Sequence, residues 1–194
     1  MVTDIIGLVA GIVRNPKWAT IALAMMVVVL AMFLVLTKQM QRPRFGSNSA
    51  NANGRTEQQL TQAKYHFQQG LTFATMGRID EGIREFSEAI DLDRNYAAAY
   101  GNRGVAYMIQ KKYNKALGDL NEAVRIDPKD RNAFYNLAAL RTLRQEFDLA
   151  LDALDQALTR GFDNYDALRR DADLEGLRRQ PEFRKLLERH KISL

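Results

Sequence analysis

Along the middle of the chain, apolar and small residues return every three or four positions, and the period breaks at regular places. Between Ala97 and Asp130, the spacing puts Tyr100, Gly104 and Tyr107 on one face of a predicted helix and Ala116, Leu120 and Ala123 on one face of a second. Pro128 closes this unit: it cannot donate a backbone hydrogen bond inside a helix and biases the residue before it toward extended geometry, so the second helix is expected to end near Ile126 or Asp127. A shift of 34 residues restores the pattern in both directions. Gly70, Phe73, Ile79, Phe86 and Ala89 occupy the equivalent places upstream; Phe134, Ala138, Phe147, Ala150, Leu154 and Ala157 do so downstream.

Two flanking regions do not follow that period. From Ala19 to Thr37 come 19 uncharged residues with no polar face. At about 1.5 Å per residue they reach about 28 Å, close to the roughly 30 Å of a bilayer's hydrocarbon core. With Asn15-Pro16 as a helix start and Trp18 as an interfacial ring, 15–37 is predicted to be a transmembrane helix. The apolar segment 1–14 reads as a short interfacial helix or frayed tail; Gly7 and Gly11 would also permit close approach of another membrane helix. Residues 38–60 begin basic and become Ser/Asn-rich, the composition of a tether, with a reach of roughly 16 to 19 Å for its ten-residue coil portion. Beyond the third unit, Asp173 is expected to cap a short helix from Leu174 to Arg178. Gln180-Pro181 then opens a last helix to about His190, on which Phe183, Leu186 and Leu187 cover the open end of the third unit.

Charge sharpens the membrane reading. The chain of 194 residues carries a net +5, of which residues 1–60 hold +4 (six Lys/Arg against Asp4 and Glu57) and residues 61–194 hold +1 (22 against 21). The basic excess flanks the apolar run, which points to lipid headgroups and away from nucleic acid. Two basic residues before the span against three or four after it weakly favour the cytoplasmic side for the repeat domain, while the uncharged tether suits a periplasmic placement equally. Without cysteine there are no disulfides or thiolate metal sites.

The order of aromatic, small residue, aromatic, Ala-x3-aliphatic and Pro, repeated at this spacing, resembles the tetratricopeptide repeat. The resemblance implies an all-α fold: a right-handed α-solenoid of three helix pairs, at 63–96, 97–130 and 131–164, with C-terminal capping helices over 165–194 and the single transmembrane helix before it. Departures fall at Gly82 for the usual Ala, Arg94 for Pro, Arg141 at an aromatic position, and Gly161-Phe162 for the closing Pro. LEGLRRQPEF also resembles the closing segment of bacterial members of the family.

No catalytic constellation is present. His66 and His190 lie 124 residues apart, and there is no phosphate loop, no H-E-x-x-H and no G-x-S-x-G, so neither an enzyme nor a cofactor is expected. The pairs Asp91/Asp93 and Asp171/Asp173 read as solvated helix-end groups. In the family, the sixth position of each first helix faces the concave groove, and here it holds Gln68, Asn102 and Asn136. Such a row of carboxamides resembles a peptide-binding asparagine ladder, each amide offering a donor and an acceptor; the alternative is local bonding within the helix. Lys64, Phe67, Leu71, Val105, Met108, Ile109, Asn132, Tyr135 and Leu143 are the expected groove neighbours. Phe67 and Leu71 stand where carboxylate-clamping members carry Lys and Asn, so an apolar helix or extended segment is the expected guest. The resulting expectation is a membrane-tethered scaffold for a protein or peptide partner, serving assembly, quality control or an accessory role in a membrane complex. The alternative is a structural protein that self-assembles into homo-oligomers at the membrane.

Overall fold

The computed structural model describes residues 56–193, which form one compact unit. The anticipated N-terminal segment 1–14, transmembrane helix 15–37 and tether to residue 55 lie outside the described residues. No helix among the described residues is long and apolar enough to cross a membrane.

Three antiparallel helix pairs form the body: α1 (Glu57–Thr75) with α2 (Ile79–Leu92), α3 (Ala97–Ile109) with α4 (Tyr113–Ile126), and α5 (Arg131–Leu143) with α6 (Phe147–Thr159). Each second helix packs on the first helix of the following pair, and the first helices also touch one another, making an all-α, solenoid-like stack. α7 (Tyr165–Arg170), a 3-10 turn (Ala172–Leu174), α8 (Glu175–Arg178) and α9 (Pro181–Arg189) complete the unit.

The small residue of each first helix sets how closely its partner packs. Gly70 faces Phe86, and a Cβ on it would lie 2.5 Å from the ring; at Gly104 the same atom would meet Leu120 at 2.9 Å. In the third pair Ala138 and Leu154 take the equivalent places, both fully buried. The sequence thus matches a smaller residue on one helix to a larger one on the other, and the backbones approach accordingly.

The turns inside the pairs also repeat. Gly77, Lys111 and Gln145 occupy the same place in successive units and all adopt left-handed backbone, with φ of 75°, 58° and 62°. Beside them, Gln110 donates to Asp80 and Arg144 to Asn114, both at 2.7 Å and both across 30 residues, so the turn of one unit is fastened to the start of the second helix before it. Arg141, at an aromatic position of the repeat, instead pairs with Glu146, which Arg144 also contacts at 2.7 Å.

One ion pair is nearly enclosed. Arg103 grips Asp119 with two hydrogen bonds, of 2.7 and 2.8 Å, and donates a third to Ser87 Oγ at 3.0 Å. Asp119 is 8% exposed, so α2, α3 and α4 meet around a shared polar centre that satisfies its own charges.

Two boundaries correct the sequence reading. Thr56 and Gln59 form a reciprocal capping box, so α1 starts at Glu57 and residues 57–60, expected in the tether, are helical. At the other end Asp171, not Asp173, caps the 3-10 turn by accepting from the Asp173 amide at 3.0 Å. α9 starts at Pro181 as expected, and Phe183, Leu186 and Leu187 are buried against the third pair. His190 at its end meets Asp155 of α6 at 2.6 Å.

Candidate functional site

Between the first helices of the second and third pairs lies a concavity of about 570 Å³. α3 contributes Val105, Met108 and Ile109, while α5 contributes Tyr135, Asn136, Ala139 and Leu143. The turn after α3 adds Lys111, α4 adds Tyr113, and the segment after α7 brings Asp171 and Asp173 to the rim. Helical spacing explains the apolar part: Val105, Met108 and Ile109 lie three and four residues apart, as do Asn136, Ala139 and Leu143. Ile109, the last residue of α3, is 59% exposed and extends the apolar strip of Val105 and Met108 to the surface.

Six of the twelve residues expected in the groove line this space: Val105, Met108, Ile109, Tyr135, Asn136 and Leu143. The others do not. Lys64 and Gln68 are exposed on α1, Leu71 is half-buried there, and Asn132 is exposed at the start of α5. Phe67 is half-buried, with its ring 5.8 Å from that of Phe86 and 4.9 Å from that of Tyr96.

The carboxamide row differs along its length. Asn102 donates to the Ala98 carbonyl of its own helix at 2.8 Å, the local alternative, which leaves one donor and its oxygen unused. Asn136 makes no hydrogen bond among the described residues and faces the concavity with both functions open. An amide ladder therefore has one fully open rung at this site.

Tyr135 is fixed rather than adaptable. Its ring stacks on Phe162 at 4.4 Å, and its hydroxyl donates to Asp171 Oδ2 at 2.5 Å. Burial first, then the bonded Asp171 carboxylate, hold that hydroxyl far above the ordinary phenol range, so it remains a donor at any physiological pH. Asp171 and Asp173 are half-buried, which corrects their reading as solvated groups. Desolvation and the neighbouring Asp171 charge push the Asp173 carboxyl above its usual range. Asp171 and Asp173 lie 36 and 38 positions after Tyr135 and follow the last repeat-like segment. No periodic signal connects them to the groove.

Among the described residues, no group of three or more His, Asp or Glu side chains is placed to hold a metal ion. The arrangement offers an apolar floor, one open amide and an acidic rim, which suits non-covalent recognition of a chain segment.

Residues 97–130 match a tetratricopeptide repeat family model, and residues 63–96 match a second model of the same repeat. No curated protein matches the chain. Among solved structures, the chain resembles the first TPR of Spaghetti (RPAP3) bound to the HSP90 peptide SRMEEVD, at 23% identity and a TM-score of 0.56, covering 67% of this chain and 94% of that one. The second TPR of Spaghetti (RPAP3), with the same peptide, is 25% identical with a TM-score of 0.51 over 53% of this chain and 94% of that one. The TPR2B domain of yeast Sti1, in a pHsp70 complex, is 21% identical with a TM-score of 0.52 over 68% and 97%.

Proposed function

We propose that the chain, whose residues 63–96 and 97–130 match tetratricopeptide repeat models, is a scaffold that holds a segment of a protein partner in the concavity between α3 and α5. The observation that carries this is the exposed Ile109 beside Met108 and Leu143, with the unbonded Asn136 amide among them. Apolar side chains of a guest would displace water from that floor, while Asn136 bonds the guest backbone whatever its side chains. That related folds have been solved with HSP90 and pHsp70 partners supports a peptide as the kind of guest.

In this proposal the scaffold is also tethered to a membrane. The uncharged run Ala19–Thr37, flanked by basic residues, supports a single-pass anchor that keeps the scaffold near the bilayer. A short flexible linker raises the local concentration of a membrane-bound partner to about the millimolar range, so modest groove affinity suffices. Assembly, quality control or an accessory role in a membrane complex fits such a device. The test is Ile109→Asp: because the side chain is 59% exposed, the thermal transition stays nearly unchanged while capture of the partner is lost. Retained capture would remove the concavity from the account.

A further inference from the structure

The charge on the rim of the concavity defines its guest more narrowly than the apolar floor does. Resting on the groove reading above, we propose that the concavity selects a peptide segment in which a Lys or Arg is flanked by apolar side chains, the cation docking on Asp173 and its apolar neighbours on Met108, Ile109 and Leu143.

The two rim carboxylates are not equivalent. Asp171 is committed: one oxygen accepts from the Tyr135 hydroxyl at 2.5 Å and the other from the Asp173 amide at 3.0 Å. Asp173 is half-buried and lines the same space, yet its carboxylate has no hydrogen bond or ion pair among the described residues. Its pKa moves upward through burial and the Asp171 charge, the behaviour of an acid that lacks a counter-charge. Arg178 does not provide one, since its guanidinium donates to the backbone carbonyl of Asp171 at 2.7 Å and to that of Leu168 at 3.4 Å. Lys111 is the cation on the lining, but it sits exposed on the left-handed turn after α3. A partly dry carboxylate beside a second one attracts a cation and repels an acidic guest. SRMEEVD, the peptide held by the related Spaghetti (RPAP3) domains, would bring three carboxylate side chains to this rim.

The experiment titrates the whole chain, labelled at Ile and Met methyls, with three peptides: SRMEEVD, the charge-inverted amide SRMKKVK and the neutral amide SQMQQVQ. The Met108 and Ile109 methyls should shift with the inverted peptide, which binds about tenfold more tightly than the neutral one, whereas SRMEEVD binds more weakly than either. Asp173→Asn should erase the advantage of the inverted peptide and leave the neutral one unchanged, with an intact thermal transition showing that the fold persists. If SRMEEVD binds as well as the inverted peptide, or Asp173→Asn leaves their ratio unaltered, the charge assignment fails while the groove stands. If no peptide shifts either methyl, the groove reading falls and this assignment with it.

Discussion

Single side chains decide both how the unit packs and where it can bind. Gly70 admits no larger residue without displacing Phe86, so Gly70→Ala should cost about 1–3 kcal/mol, read as a lower midpoint in urea. Asp119→Ala would strip the partner from a largely covered Arg103 and should cost about 2–4 kcal/mol by the same measurement, somewhat less than for a fully buried pair. Asp173 acts in the opposite sense. Its folded pKa lies above the unfolded one, so the native state binds its proton more tightly, and stability is lost as pH rises through the folded pKa. Asp171, Tyr135, Tyr113, Lys111 and Arg178 are the charged and titratable groups around it. Asp173→Asn should therefore raise the melting temperature at neutral pH, with the gain vanishing below about pH 3, under the ordinary carboxylate range. A melting temperature that falls at neutral pH would mean that Asp173 has a partner in the folded protein. Of these residues, Gly70 and Gly104 were legible in the sequence as small positions of a repeat, because close helix contact demands them at a fixed period. Asp119 was not, since a lone Asp on a helix reads as solvated until a cation 16 residues away is folded against it.

The elements follow local rules closely, and the exceptions come from tertiary contact. Pro128 places the end of α4 at Ile126, and Gln180-Pro181 places the start of α9, both by backbone chemistry that sequence displays directly. The capping box that begins α1 was equally visible as Thr56-x-x-Gln59, although the polar composition around it suggested a tether. Phe67 shows what periodicity leaves out: its contacts with the Phe86 and Tyr96 rings join residues 19 and 29 positions away. The left-handed turns give a prediction of their own. Unit one uses Gly77 where units two and three hold Lys111 and Gln145 against a steric penalty. Lys111→Gly and Gln145→Gly should each stabilise the fold by about 0.5–1 kcal/mol in denaturant melts, the relief of strain exceeding the added chain entropy.

For the molecule as a whole, the concavity is composite. The repeats supply Met108, Ile109, Asn136 and Leu143, while the capping segment supplies the acids, so a sequence reading built on the repeat period saw the floor and missed the rim. The capping helix α9 buries Phe183, Leu186 and Leu187 and turns Glu182, Arg184, Lys185, Glu188 and Arg189 outward, a polar face that stops the stack. Growth of the stack through that end is disfavoured, so a fragment from residue 56 onward should sediment as a monomer, and concentration-dependent oligomers would favour self-assembly instead. The whole chain should stay with membranes after alkaline extraction, whereas that fragment should be released. Entry of a partner segment between α3 and α5 is read out by photo-crosslinking from a benzophenone amino acid placed at position 109 in the whole chain. The control position is Leu149, which is also exposed but lies on α6, outside the concavity. Adducts to one peptide segment of a partner from position 109, and not from position 149, are the predicted result; equal labelling from both positions, or none from 109, would contradict it.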